Sequence, residues 1–289
     1  MSADLAAPSE GPLAMICGGG ALPLAVADYV AARGRKVVLF PLVGAAEGLP
    51  VERYPHHWLY IGQIYKFISL ARAAGCREVV FIGGLVRPSI WRTRPNLRDL
   101  LFVPRVLKAF RGGDDHLLSG MARLLEDEGL ILRGAHEVAP EILAPEGVMG
   151  NVQPTAADRA DIDFGMRYLG AASPFDIGQA VVVADLHVLA VEAIEGTDQM
   201  LARVAELRTS GRIRAASGRG VMVKAPKRDQ DRRFDLPSIG PRTVEGVVQA
   251  GLAGIAVVAG ATVIAEADKL VAAADRAGIF IVSVPERQP

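Results

Sequence analysis

Apolar positions along this chain fall in short uninterrupted runs, and these alternate with stretches of helical periodicity. The run at 13–17 is followed by Gly18-Gly19-Gly20, a helical pattern over 21–33 that stops at Gly34, and a second apolar run at 36–42. A half-exposed strand would alternate polar and apolar residues, so runs this short and continuous read as strands buried on both faces. Strand, glycine turn, helix and strand make a βαβ unit. The pattern recurs with a helix over 64–74 ending at Gly75 and a strand at 78–82 ending at Gly83-Gly84. Helices are predicted over 97–110 and 115–128, separated by Gly112-Gly113, and a short strand over 130–133. The fold class is therefore α/β, with a Rossmann-like parallel sheet in the N-terminal half.

The texture changes near Gly147. Gly150-Asn151-Val152-Gln153-Pro154-Thr155 reads as a linker, and Thr155 or Asp158 can cap the helix that follows to about 169. Apolar runs at 180–184 and 188–193 flank Asp185-Leu186-His187 as a hairpin, which makes the second sheet mixed. A helix over 198–207, a strand at 221–224, a Pro-started helix over 242–250, strands at 255–258 and 262–264, a helix over 268–276 and a last strand at 279–284 complete it. The expected organisation is an N-terminal Rossmann-like domain over 12–150 and a C-terminal mixed α/β domain over 151–289.

Composition adds limits. A length of 289 residues suits two domains, and 51% apolar residues is enough for two cores. The 32 basic and 32 acidic residues cancel, which leaves no long-range field for nucleic acid. Cys17 and Cys76 have no metal-ligand spacing and make no disulfide framework, so a reducing, cytoplasmic setting is expected. Residues 1–11 read as a disordered tail with no basic signal region. The longest apolar stretch, 251–265, is short and broken by glycines, so it reads as buried strands and not as a membrane span.

Four segments carry candidate chemistry. Gly18-Gly19-Gly20 precedes a helix, where exposed amides attract anions, but Val26 stands where a dinucleotide fingerprint wants another glycine and no P-loop lysine follows. A tight turn without ligand is the competing reading. Gly113-Asp114-Asp115 sits at a helix start, as plain capping or as amides exposed to substrate. Glu192, Glu195 and Asp198, with Gly196 and Thr197 between them, gather carboxylates at a strand end and helix start, a setting for a hard divalent cation or an ordinary acidic turn. Glu192 falls inside an apolar run, where an unpaired charge is costly. The richest stretch runs from Lys224 through Lys227 and Asp231 to Asp235-Leu236-Pro237-Ser238-Ile239-Gly240. Two lysines to neutralise phosphoryl oxygens, and Asp231 or Asp235 to hold a metal or orient a water, suit phosphoryl chemistry. His56-His57 reads as a surface pair, and His136 as a structural residue or a ligand contact.

Taken in order, Gly18-Gly19-Gly20-Ala21-Leu22-Pro23, Gly113-Asp114-Asp115, Asp176-Ile177-Gly178-Gln179, Glu192-Ala193-Ile194-Glu195-Gly196-Thr197-Asp198 and the Lys224 to Gly240 block resemble the LpxI-type UDP-2,3-diacylglucosamine pyrophosphatases of lipid A synthesis. The resemblance covers about 13–285. It departs at Lys227-Arg228-Asp229, where Lys-Pro is the family's pattern. It implies two α/β domains holding substrate between them, and hydrolysis of a nucleotide-linked diacyl sugar to UMP and 2,3-diacylglucosamine 1-phosphate (lipid X), with magnesium (Mg2+) as cofactor. Water would attack the sugar-side phosphorus. By the same resemblance Asp235 is the first choice of catalytic or metal-linked carboxylate, with Glu192 beside it as metal ligand. Lys224 and Lys227 would serve the phosphates with Asp231 near them. Gly19, Gly20 and Ala21, Gly113, Asp114, Asp115, Gln179, Glu195, Gly196, Thr197 and Asp198 would line the substrate site. A substrate of this kind leads to the expectation of transient contact with the inner-membrane surface. A homodimer is compatible with the sequence, which shows no oligomeric signature. The competing function is a non-catalytic binder of a nucleotide-linked lipid, and a nicotinamide oxidoreductase is a distant third.

Overall fold

A computed structural model describes residues 11–84, 114–175, 177–227, 231–233 and 236–286, with 114–119 and 121 described for backbone only. The predicted helix at 97–110, the tail before Gly11, Gly112-Gly113, Asp176, Arg228-Asp229-Gln230 and Asp235 lie outside the described residues. The chain divides into two compact units. The first comprises 1–140 together with Asp231–Phe234, and the second Glu141–Gln230 with Asp235–Pro289.

In the first unit, β1 (Leu13–Cys17), β2 (Val37–Pro41), β3 (Glu78–Ile82) and β4 (Ile131–Arg133) form a parallel sheet in the order β2-β1-β3-β4. Helices α1 (Leu22–Ala32), α2 (Ile64–Ala73), α3 (Asp114–Asp127) and the short α4 (Ala135–Val138) accompany it. β1 and β2 are buried at every position, the reason their sequences are continuously apolar. The core of one face collects Ile16, Val38, Phe40, Phe67, Leu124 and Leu132, with Phe40 and Phe67 edge to face at 4.8 Å. At the N-terminal end of β3, Glu78 is 1% exposed and accepts hydrogen bonds from Arg35 at 2.5 Å and Arg133 at 2.8 Å. Two guanidiniums on one buried carboxylate satisfy both of its oxygens.

The second unit holds β5 (Gly147–Met149), β6 (Ala180–Ala184), β7 (His187–Val191), β8 (Val221–Lys224), β10 (Gly254–Val258) and β12 (Phe280–Val284) in the order β5-β12-β10-β8-β6-β7. The three central strands are parallel, and β5, β6 and β7 are antiparallel to their neighbours. A separate parallel pair joins β9 (Ser238–Ile239) to β11 (Val263–Ile264). The helices are α5 (Ala156–Ala172), α6 (Gly196–Thr209), α7 (Pro241–Gln249) and α8 (Ala267–Ala277). Alternate strand residues build the two faces. Val181, Val183, Val223, Ala256 and Phe280 pack with Ile162 and Leu169 of α5, while Val182, Met222, Ile255 and Ile281 pack with Leu201, Val247 and Leu270 of α6, α7 and α8.

The boundary between domains was expected at 150. Gly147–Met149, just before the expected linker, is a strand paired with β12, and the contact division falls after Pro140. Linker residue Asn151 is tied to α8 by two hydrogen bonds to Asp275, at 2.7 and 2.8 Å. Thr155 caps α5, accepting from Asp158 N–H at 3.2 Å, while the Asp158 carboxylate accepts from the Thr155 N–H and hydroxyl. In the hairpin, Asp185 and Leu186 both adopt positive φ, 50° and 59°. The buried Asp161 of α5 holds that turn by accepting from both of their backbone amides, at 3.1 and 2.7 Å.

Candidate active site

The second unit carries a cavity of about 490 Å3 where the starts of α6, α7 and α8 meet the ends of β8 and β9. Lys224 closes β8, the last residue of a fully buried Val-Met-Val-Lys strand, and is 8% exposed. Its ammonium donates to the Thr197 hydroxyl at 2.9 Å and to the Ser238 carbonyl at 3.2 Å. The Thr197 hydroxyl donates in turn to Glu192 at 2.7 Å, and the other Glu192 oxygen accepts the Gln179 N–H at 2.8 Å. A buried carboxylate and a buried ammonium are thus linked through one hydroxyl, which offsets the cost of burying either charge.

The helix starts add to the positive character. Neither α6, after Glu195, nor α7, after Gly240, carries a side-chain cap that accepts from its first-turn amides. The helix dipoles favour an anion there, and Lys224 supplies a full charge beside them. Pro241 begins α7 at a position where a missing N–H costs nothing. Glu266, before α8, lines the cavity from a left-handed backbone, φ 51° and ψ 55°. The rim carboxylates already have cationic neighbours. Asp198 accepts from Arg242 at 2.6 Å, and Glu195 lies 3.1 Å from Arg203 outside hydrogen-bonding angles.

The cavity brings together Lys224, Glu195, Gly196, Thr197 and Asp198. Glu192, expected as a metal ligand, sits behind Thr197. Both of its oxygens are engaged in the interior, by Thr197 and by the Gln179 N–H, and it is 8% exposed. Among the described residues, no group of three or more His, Cys, Asp or Glu could hold a metal ion. Gln179 contributes through its backbone, and Lys227 lies half-buried three residues beyond β8. Asp235, the first-choice carboxylate, and Gly113 lie outside the described residues, and Asp114 and Asp115 begin α3 as backbone.

In the first unit, the glycine turn is occupied by protein. Gly19 and Gly84 exchange backbone hydrogen bonds at 2.8 and 2.9 Å. A Cβ on Gly18 would lie 2.5 Å from the Gly84 carbonyl oxygen, and one on Gly19 2.7 Å from that of Ala45. Gly18 and Gly19 are therefore required for two loops to meet backbone to backbone, at the crevice between β1 and β3 where such sheets change winding direction. Gly20 alone faces open space, at φ 93°, with Ala21 exposed beside it at the start of α1.

Asp231 also belongs to this first unit. Arg233 holds it with hydrogen bonds of 3.0, 3.2 and 2.7 Å and reaches Glu126 at 3.5 Å. The Arg233 hydrogen bond keeps the Asp231 carboxyl below its usual range. Nearby, His136 folds over Gly134, where a Cβ would come within 2.4 Å of the ring, and burial pushes its pKa down. Asp231 and Lys224, adjacent in the sequence argument, thus belong to different units. Ser238, Arg242 and Glu266 are cavity residues that the sequence reading did not assign to the site. The Pro-started helix was the one available signal for the first two.

Fold and cavity together define an α/β protein whose second unit has a buried lysine and two helix starts around one cavity. Comparison with known proteins is more specific. The LpxI N-terminal domain model matches residues 12–142 and the LpxI C-terminal domain model matches 145–282, so the chain belongs to the LpxI family. It is 41% identical over 278 residues to a protein of Caulobacter vibrioides named UDP-2,3-diacylglucosamine pyrophosphatase LpxI, covering 96% of this chain and 99% of that one. Among solved structures, a UDP-glucose 4-epimerase from Thermus thermophilus in complex with NAD aligns over 96% of this chain and 86% of its own, at 14% identity and a TM-score of 0.29, a likeness too weak to carry any argument.

Proposed function

We propose that this protein hydrolyses the pyrophosphate bond of UDP-2,3-diacylglucosamine, giving UMP and 2,3-diacylglucosamine 1-phosphate in lipid A biosynthesis. The carrying observation is the end-to-end relationship to the Caulobacter pyrophosphatase, 41% identity across 99% of that chain. The cavity supports it with chemistry. Lys224 and the uncapped starts of α6 and α7 are a preorganised positive environment for charge on phosphoryl oxygens, which is where this reaction needs help.

In this reading water attacks the sugar-side phosphorus, the bond from that phosphorus to the bridging oxygen breaks, and the bridging oxygen leaves with UMP. Asp235 orients the water, a role that rests on the resemblance of its Asp-Leu-Pro-Ser-Ile-Gly segment. Lys224 and Lys227 neutralise phosphoryl oxygens. Magnesium dependence belongs to the proposal with no step assigned to it. Transient contact with the inner-membrane surface and a homodimer belong to it as well. No helix among the described residues is long and apolar enough to cross a membrane.

The test is UMP release from UDP-2,3-diacylglucosamine by purified protein, with Mg2+ or with chelator, in water enriched in oxygen-18. The label is expected in the sugar phosphate and not in UMP. Tight binding without any cleavage under either condition overturns the reading in favour of a non-catalytic binder. Sedimentation with and without liposomes reads the membrane and dimer components.

A further inference from the structure

A carboxylate can only accept hydrogen bonds and an ammonium can only donate them, so the Thr197 hydroxyl between Glu192 and Lys224 has one arrangement. It donates to Glu192 at 2.7 Å and accepts from Lys224 at 2.9 Å. We propose that Thr197 and Glu192 are positioning residues that aim the Lys224 ammonium at the phosphoryl group, and are not contacts of substrate or metal. This rests on the hydrolase reading above.

Three observations carry it. First, the chain is anchored at its far end by backbone. A Cβ on Gly178 would lie 2.3 Å from the Glu192 carbonyl oxygen, and the Gln179 N–H beside it fixes the second carboxylate oxygen. Glu192 therefore has a fixed orientation before any ligand arrives. Second, Lys224 joins two elements. Through Thr197 it is tied to the first turn of α6, and through the Ser238 carbonyl to the strand that leads into α7. The ammonium and both helix starts are thereby held around one cavity.

Third, the charges demand a support of this kind. An ammonium that is 8% exposed beside two helix N-termini is disfavoured by burial and by their dipoles. Lysine carries its charge on a flexible four-carbon stem. A buried negative partner offsets that cost. Glu192, also 8% exposed, supplies that partner, and the Thr197 hydroxyl spaces it so that the lysine is steadied without direct contact with the carboxylate.

The experiment measures UMP release by full-length Thr197→Val, Thr197→Ser, Lys224→Met and the Lys224→Met/Thr197→Val double variant, with thermal melting as the folding control. Thr197→Val keeps the shape and removes the hydroxyl. It is expected to lower kcat/KM by roughly 10- to 100-fold, within the range for losing preorganised charge stabilisation, while Thr197→Ser stays within about 3-fold of the parent. In the Lys224→Met background, Thr197→Val is expected to cost no more than about 2-fold, because residues acting as one unit are not additive. Parent-like activity of Thr197→Val, or an equal loss in both backgrounds, overturns the proposal. If Thr197→Val does not fold, Thr197→Ala replaces it. If the parent itself releases no UMP, the hydrolase reading fails separately. The same proteins are then titrated with inorganic pyrophosphate by calorimetry, where the same ordering of Kd is expected. Equal affinity of parent and Thr197→Val, or no binding by the parent, overturns the positioning role.

Discussion

Replacing Glu78 by Gln should unfold the first unit far more readily while leaving its shape intact. Glu78 is 1% exposed, and its oxygens accept from Arg35 and Arg133 at 2.5 and 2.8 Å. Glutamine fits the space, but its amide oxygen can serve one arginine while its NH2 group confronts the donors of the other. One charge-assisted hydrogen bond is lost and the other weakened, each worth about 1.5–3 kcal/mol. The two guanidinium side chains are 16% and 15% exposed, so water partly compensates them. The net cost is about 2–4 kcal/mol, at or below the range for breaking a buried ion pair. With a urea slope of about 2 kcal/mol/M, the unfolding midpoint should fall by roughly 1–2 M. Trp58 belongs to the first unit, so its fluorescence reports unfolding there. Acid supplies a second readout. Burial raises the Glu78 pKa, but the hydrogen bonds from Arg133 and Arg35 outweigh it and hold the carboxyl below 4.5. As pH falls the unfolded chain takes up this proton first. The stabilisation is therefore complete above pH 4.5 and disappears as pH drops through the lowered folded value, so parent and variant should converge in acid. A midpoint shift under about 0.3 M urea at pH 7 would refute the reasoning.

Gly18→Ala should destabilise by about 1–3 kcal/mol or more, since its Cβ meets backbone at 2.5 Å, whereas Gly20→Ala faces open space and bears only the cost of its positive φ; comparing the two urea midpoints separates packing from backbone strain. Asp161→Ala leaves the Asp185 and Leu186 amides without their shared acceptor and should cost about 2–4 kcal/mol, with amide exchange accelerating first at the β6–β7 turn. Phe280→Ala removes a ring that is 2% exposed and should cost about 3–5 kcal/mol in the second unit, read by far-ultraviolet circular dichroism during denaturation. The last two variants should leave the fluorescence transition of the first unit in place.

The strands were the most legible part of the sequence, because central strands covered on both faces must be apolar throughout, as Ala180–Ala184 and Gly254–Val258 are. Boundaries of most helices fall within about two residues of the periodicity. What escaped was short or dependent on distant partners. Gly147–Met149 is three residues long and becomes a strand only because β12 offers it an edge. Glu266 reaches the cavity through a left-handed backbone that no local pattern announces. Lys224 and Asp198 stood out because charged residues at strand ends and helix starts are conspicuous. Glu192 was legible as unusual, a charge inside an apolar run, but its hydrogen-bond donors, the Thr197 hydroxyl and the Gln179 N–H, depend on the fold. The glycines show the same dependence. Gly18 and Gly19 permit a close approach, but only the fold reveals that the approaching group is another loop.

The return of Asp231–Phe234 to the first unit has a consequence for how the protein is made. The sheet strands of that unit are all synthesised by Arg133, yet its last segment emerges roughly 90 residues after Pro140, with much of the second unit already translated. Until then Glu126 lacks Arg233, and the ground beside Gly134 stays uncovered. A nascent first unit is therefore a waiting template whose completion depends on chain not yet made. A fragment cut after Pro140 would reproduce that unfinished state permanently, however well its own strands pair.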